Sequence, residues 1–206
     1  DFDLVRGRLT FKAQGERKHR VALFTGCLAD QLFAEVNEAT VRVLTENGCE
    51  VDVLAAEQCC GALHIHNGER DHAKDLAREN VKLFNAGKYD AVLTNAAGCS
   101  AELRHYGALL DGDAAGKEFG AKIRDISEYL VEIGYRKPSN ASKAGKVAYD
   151  EPCHLLHAQK ISAAPKELIR NVPGVEPVPL EDAEFCCGSA GLYSVTQPAL
   201  ANSVLA

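Results

Sequence analysis

Two five-residue strings constrain this chain more than any other feature: Glu57-Gln58-Cys59-Cys60-Gly61 and Glu184-Phe185-Cys186-Cys187-Gly188. A lone cysteine precedes each at nearly equal distance, Cys27 lying 32 positions before Cys59 and Cys153 lying 33 before Cys186. Each lone cysteine also closes a matching run, Arg-Val-Ala-Leu-Phe-Thr-Gly-Cys at 20–27 and Lys-Val-Ala-Tyr-Asp-Glu-Pro-Cys at 146–153. The chain is therefore read as two copies of one unit, offset by about 126 residues. The doublets add a local constraint. Neighbouring side chains of extended backbone point to opposite faces, so a Cys-Cys pair that serves one centre belongs in a loop, where both sulfurs can turn the same way.

Strand and helix signals alternate through the first copy. Val21–Gly26 reads as a strand, followed by a helix over 31–47 with Leu32, Val36, Ala39 and Val43 as its inward stripe and Gly48 as its stop. A strand over 50–56 leads into the first doublet. A helix over 69–86 carries Ala73, Leu76, Ala77, Val81 and Phe84 on one face, a third strand spans 91–95, and a helix over 100–110 follows Cys99. Residues 111–120 read as a Gly- and Asp-rich break. A short strand and a helix capped by Ser127, with Tyr129, Leu130 and Ile133 inward, complete the unit. Residues 1–20 show no clear periodicity and read as an N-terminal arm. Residues 135–145, with Pro138, Ser139, Asn140 and Ser142, read as a linker. The second copy opens with a strand over 146–150 and continues with a helix over 165–172 that starts at Pro165. Pro177 and Pro179 break its next strand, over 175–180, and another helix begins at Pro198.

This alternation predicts an α/β fold of two pseudo-repeated lobes, a first repeat over 21–134 and a second over 146–206. Each would be a small, mainly parallel sheet with crossover helices. Cys99 lies 39 positions after Cys60, and the same offset from Cys187 falls beyond Ala206. The second lobe is thus expected to be truncated, without its third strand and the thiol that would follow it. A chain that starts at Asp1 and contains no Met reads as a fragment.

The topology places the thiols. Loops after the C-terminal ends of parallel strands share one edge of the sheet, where ligands sit. Cys27, the pair Cys59 and Cys60, and Cys99 each follow a strand, so four cysteines distant in sequence are expected to converge. Cys153, Cys186 and Cys187 give three members of a second set. Cys49 precedes its strand and is expected at the opposite edge, as a small packed thiol. Eight cysteines in 206 residues, with no secretory segment, argue for metal ligation or redox work over a disulfide scaffold. Thiolates suit iron–sulfur clusters because soft sulfur matches the iron and its negative charge offsets the metal's. Three other uses compete: structural zinc, paired disulfides, and a dithiol at Cys59–Cys60 exchanging with a disulfide substrate. Gly61 and Gly188 suit positive φ, or close approach of backbone to a bulky inorganic group.

Other features carry less. His64, His66, His154 and His157 lie near thiols and could ligate, relay protons, hydrogen-bond to sulfur, or simply line loops. Gly-Ser-Ala-Gly at 188–191 lacks the Lys-Ser/Thr of a phosphate loop and reads as room left at the thiol site. A net charge of −6 argues against nucleic acid. No apolar run is long enough to span a membrane.

The pattern C-x(31)-C-C-G…C, repeated, resembles the cysteine-rich CCG domain of the heterodisulfide reductase B-subunit and related oxidoreductase subunits. Longer strings are similar to the C-terminal region of iron–sulfur subunits from the glycolate oxidase branch. They are Thr-Gly-Cys (25–27), Gln-Cys-Cys-Gly-Ala-Leu-His (58–64), Ala-Ala-Gly-Cys (96–99), Asp-Ile-Ser-Glu-Tyr-Leu (125–130), Glu-Pro-Cys-His-Leu-Leu-His-Ala-Gln (151–159) and Cys-Cys-Gly-Ser-Ala-Gly-Leu-Tyr (186–193). The resemblance implies an electron-transfer subunit of a glycolate or related D-2-hydroxy-acid oxidase or dehydrogenase. It implies an iron–sulfur cluster of the 4Fe-4S type on Cys27, Cys59, Cys60 and Cys99, with Cys153, Cys186 and Cys187 at a second site. It also implies FAD on flavin-bearing partner subunits, where the hydroxy acid is oxidised, and a cytoplasmic complex that can lie against the inner face of the membrane. The ferredoxin-like domain usual in the family is missing from these residues. Position 102 is Glu where the heterodisulfide reductase pattern has a fifth cysteine, which weakens a heterodisulfide reductase-type thiol–disulfide activity as the alternative. A cluster-free docking module is the third reading.

Overall fold

Val21-Ala22-Leu23 and Ala91-Val92-Leu93 offer no polar side chain to turn toward water, and such runs persist only where both faces of a sheet are covered. They form the centre of the sheet here. The computed structural model of the chain describes residues 2–3, 7–140 and 144–205. In the first repeat the elements run β1 (Phe2–Asp3), β2 (Arg8–Phe11), β3 (His19–Leu23), α1 (Cys27–Leu32), α2 (Ala34–Glu46), β4 (Cys49–Leu54), α3 (Ala62–His66) and α4 (Arg70–Asn85). They continue with β5 (Ala91–Thr94), α5 (Ala97–Arg104), α6 (Tyr106–Leu109), α7 (Ala114–Lys122), β6 (Ile123–Asp125) and α8 (Ile126–Glu132). The second repeat holds β7 (Gly145–Ala148), a π-helical turn (His154–Ala158), α9 (Ala163–Arg170), β8 (Val175–Val178), α10 (Tyr193–Thr196) and α11 (Pro198–Leu205).

The large sheet has the order β1-β2-β4-β3-β5-β6. Strand β3 pairs in parallel with β4 (Val21 opposite Val51) and with β5 (Val21 opposite Ala91), and β5 pairs in parallel with β6. Alternate residues face two cores. Ala22, Phe24, Val92 and Ile123 meet Ala73, Ala77, Val81 and Phe84 of α4 together with Tyr106 and Phe119. Val21, Leu23, Val51 and Leu93 meet Val41 and Leu44 of α2 with Tyr129 and Leu130 of α8. The chain leaves β3 for β4 on one side and returns to β5 on the other, so the ends of β3 and β5 flank a topological switch point, the usual place for a ligand in such sheets. In the second repeat β7 and β8 form a parallel pair, Val147 opposite Pro177.

The α/β repeat reading holds, with corrections. Arg8–Phe11, assigned to a lead-in arm, is strand β2, antiparallel to β4 with Leu9 opposite Val53. Its Arg-Leu-Thr-Phe alternation is too short to stand out by periodicity. The break at 111–120 contains α7, whose cap is Asp113: its carboxylate accepts from Gly116 N at 2.7 Å. Helix α8 is capped by Asp125, whose side chain accepts from the Ser127 N–H, rather than by Ser127. The largest correction concerns α2. It buries Asn37, Thr40, Val41, Leu44 and Thr45, while Leu32, Val36 and Val43 of the expected inward stripe are exposed. Of the expected linker, residues 141–143 lie outside the described residues, as do positions 1 and 4–6 of the arm.

Asp52 fastens β2 to the parallel core. Its side chain is 1% exposed and accepts from Thr10 Oγ1 of β2 (2.6 Å), Arg20 Nη2 of β3 (3.0 Å) and Tyr89 Oη (3.0 Å). Arg8 Nη1 lies 3.5 Å away. Removing one member of a buried charge set leaves the others uncompensated, so Asp52→Ala should lower stability by about 3–5 kcal/mol. Urea unfolding with an unchanged slope is the measurement, and a loss below about 1 kcal/mol would refute this account of the sheet's edge.

Candidate metal centre

The four expected cysteines of the first repeat come together. Cys27 is the first residue of α1, directly beyond β3; Cys59 and Cys60 sit in the loop between β4 and α3; Cys99 lies in the first turn of α5, beyond β5. Cys27 Sγ is 3.3 Å from Cys59 Sγ, Cys60 interacts with both Cys59 and Cys99, and all four line one cavity of about 420 Å³. Its walls are otherwise mostly apolar, with Leu28, Phe33, Val36 and Leu63, while His66 and His154 supply ring nitrogens. Cys49 is elsewhere. It begins β4, is fully buried, and packs with Val21 and Val51.

A loop has no ladder to satisfy its main chain, and two devices do so here. Glu57, two residues before the doublet, accepts from Thr25 N (3.1 Å), Thr25 Oγ1 (3.0 Å) and Gly26 N (2.9 Å). It thereby clips the Cys27 loop to the Cys59 loop. Burial pushes its carboxyl up to about 7, against the lowering pull of the Gly26 and Thr25 N–H groups. The second device is Asn80 on α4, fully buried. Its Oδ1 accepts from Gln58 N (2.9 Å), and its Nδ2 donates to Gln58 O (3.2 Å), Cys59 O (3.3 Å) and Tyr106 Oη (3.2 Å). Tyr106 in turn donates to Cys60 O at 2.9 Å. Gly61 takes the expected positive φ, +84°, and the close contact found there is with α4, since a Cβ on it would lie 3.2 Å from Ala73 Cβ.

In the sequence, Glu57 stands out only as part of a repeated string, and Asn80 and Tyr106 do not stand out. A signal existed for Asn80: a polar residue on the inward face of an amphipathic helix needs a partner.

Electrostatically Cys27, Cys59 and Cys60 resist ionisation on their own. Burial raises Cys27 to about 11, with a further rise from Cys59. The hydrogen bond with Cys60, then burial, raises Cys59 against the Gly61 N–H. For Cys60 the bond from Cys59 lowers the pKa, but the interaction with Cys99 and burial raise it more. A bound cation draws such protons off. The donor set fits an iron–sulfur group, being four soft sulfurs spread around a cavity beside main-chain N–H groups. Among the described residues no group of three or more His, Cys, Asp or Glu side chains is already arranged to hold a single metal ion.

The second set is looser. Cys153 is half-buried, and its thiol is raised by burial and then by Cys186 and Cys187 nearby. Cys186 and Cys187 are exposed. His154 Nδ1 lies 3.5 Å from Cys153 Sγ, His157 Nε2 contacts Glu184 O at 3.0 Å, and the His66 and His154 rings are 5.9 Å apart. His64 meets His72 edge-on. Gly188 has φ +71°, and a Cβ there would come within 2.4 Å of Ala201 O. Glu102, at the position of the missing fifth cysteine, is partly buried, and burial raises its carboxyl against the pull of His105, His66 and Arg70.

Residues 21–104 and 147–206 match the cysteine-rich domain called CCG. Over 196 residues the chain is 38% identical to the probable glycolate oxidase iron-sulfur subunit of Bacillus subtilis, a match covering 93% of the chain and 44% of that protein. It is 36% identical to the B-subunit of the fumarate reductase (CoM/CoB) of Methanothermobacter marburgensis, over 90% of the chain and 36% of that protein. It is 34% identical to lactate utilization protein A of Geobacillus kaustophilus, over 85% of the chain and 74% of that protein. The chain thus spans less than half the length of the first two.

Asn80→Leu keeps the volume and strands four polar partners. It should cost about 2–4 kcal/mol and speed thiol labelling of Cys60, read by urea unfolding and timed alkylation. Unchanged values in both would remove Asn80 from the site's scaffold.

Proposed function

The chain belongs to the family built on the cysteine-rich CCG domain, and from that premise we propose that it is an iron–sulfur electron-transfer subunit of a 2-hydroxy-acid oxidoreductase complex. Convergence of Cys27, Cys59, Cys60 and Cys99 on one cavity at the sheet's switch point carries this reading. These four would hold the cluster, of the 4Fe-4S type, and Cys153, Cys186 and Cys187 would contribute to a second. A bound cluster supplies one-electron transfer without proton chemistry at the substrate. The chain's own part is to hold the sulfurs in place: Glu57 joins two thiol loops, while Asn80 and Tyr106 fix the doublet's main chain. The apolar wall lowers the local dielectric around the group. In this reading, oxidation of glycolate or a similar acid belongs to FAD-bearing partner subunits. The complex would work in the cytoplasm or against the inner membrane face; among the described residues no helix is long and apolar enough to cross a membrane.

The second reading, a thiol–disulfide reductase, draws support from the relative named for CoM/CoB and from the close Cys27–Cys59 pair at an exposed position. It requires the chain alone to reduce a disulfide when a dye supplies two electrons.

Anaerobic incubation with iron and sulfide should produce a broad visible absorption that dithionite bleaches. Cys59→Ser and Cys99→Ser should each remove the share of it that belongs to the first site, at least half, and Cys49→Ser should leave it unchanged. Tight zinc uptake without that absorption, or an equal loss in Cys49→Ser, would defeat the assignment.

A further inference from the structure

The first repeat does not build its cavity alone. His154 and Gly191, both from the second repeat, line it together with His66 of α3. The His66 and His154 rings lie 5.9 Å apart at an angle of 33°. A Cβ on Gly191 would come within 3.0 Å of His66 Nδ1 and 2.8 Å of Leu63, and Gly191 has φ +70°, so the position takes glycine on two counts. The Gly-Ser-Ala-Gly string at 188–191 thus lays backbone of the second repeat against a histidine of the first.

The turn that carries His154 is tied down by one side chain. A π-helical turn bonds residue i to i+5, which sets Gln159 one turn past His154. Gln159 Nε2 donates to His154 O (3.2 Å), Ala97 O (3.1 Å) and Ser100 Oγ (2.8 Å). Two of these partners are carbonyls, which can only accept, so the amide nitrogen must face them. Gln159 therefore joins the main chain of His154 to the first turn of α5, two residues before Cys99. The His154 ring places Nδ1 3.5 Å from Cys153 Sγ and also lines the first cavity. Apart from the thiols, the polar side chains at that wall are Asn95, His66 and His154. Asn95 Nδ2 donates away from the thiols, to Asn37 and Thr40 of α2, which leaves the two imidazoles.

We propose that His66 and His154 form the hydrogen-bonding wall of the first metal centre, that His154 is supplied across the seam between the repeats and held there by Gln159, and that this wall sets the reduction potential of the group the centre holds. The proposal rests on the reading of Cys27, Cys59, Cys60 and Cys99 as cluster ligands. A thiolate-bound cluster is negative and its sulfurs accept hydrogen bonds, so a ring N–H beside it favours the reduced, more negative state and raises the potential. Gln159 touches no thiol; it is a positioning residue that acts through His154.

The test uses the full chain carrying Cys186→Ser and Cys187→Ser, loaded anaerobically with iron and sulfide, so that the visible absorption and its redox titration belong to the first site. His154→Phe should lower the midpoint, shifting the reduction equilibrium roughly tenfold, about 59 mV for one electron. His66→Phe should shift it in the same direction. His154→Gln keeps an N–H donor and should restore most of the midpoint. Gln159→Met keeps the length and loses the donors without adding charge; it should lower the midpoint, and combining it with His154→Phe should add nothing further. His64→Phe, on the same helix but not at the cavity wall, should leave the midpoint unchanged. An unmoved or raised midpoint in both His154→Phe and His66→Phe, or additive shifts in the Gln159→Met, His154→Phe pair, would overturn the proposal while the cluster reading stood. No visible absorption before any histidine is changed would overturn the cluster reading, and this proposal with it.

Discussion

A loop that must aim two adjacent sulfurs at one centre cannot also pair its backbone in a sheet, and buried N–H and C=O groups without partners cost free energy. The arrangement of the first repeat follows from meeting that requirement with side chains. Asn80 offers one acceptor and two donors, and it uses both kinds on Gln58 and Cys59. Tyr106 reaches the next carbonyl, that of Cys60. Both residues are buried among the aromatics that hold α4 and α7 to the sheet, Tyr106 stacking on Phe119 and Phe119 lying against Phe84. The position of the thiols is therefore set by the core beneath them, and a loose core would give a loose site.

The same logic explains the role of glutamate. Thr25 and Gly26 follow β3 and would present free N–H groups at the rim. The Glu57 carboxylate takes both, at the cost of its own desolvation, visible in the raised pKa. In the proposed function these thiols would become negative, and a carboxylate beside them is then an unusual choice electrostatically. It is intelligible because its oxygens are occupied by main-chain donors and a hydroxyl, so the charge faces the loop. The result joins Cys27 to Cys59 across 32 residues of sequence without any covalent link.

Much of this was legible in the sequence because the repeat and the strand–helix alternation point to one topology, and the topology alone decides which loops share an edge. Cys49 shows the strength of that argument: it differs from Cys59 by ten positions, yet its place before β4 puts it in the core at the other end. What sequence misjudged were local choices between equivalent patterns. Helix α2 and its approach carry two stripes, Leu32-Val36-Val43 and Val41-Leu44 with Asn37, Thr40 and Thr45, and apolarity alone favours the first. The polar members of the second find partners, Asn37 with Thr25 O and with Asn95, so that face turns inward. Asp113 and Asp125 cap helices in places that read as a break and as a strand end, because an Asp before a helix and an Asp in a turn look alike until the hydrogen bond is seen.

The second repeat owes its order to the first. A two-stranded sheet is marginal in water by itself, and every residue of β7 is exposed. What holds the unit is the set of contacts with the first repeat: Gln159 at the start of α5, Leu168 of α9 in the core that contains Tyr129 and Leu130, and Gly191 against Leu63. Cys153 directly precedes the turn that makes the first of these contacts, so its position is set against α5, the helix that carries Cys99. Of the second set, only Cys153 is tied to that helix by these contacts.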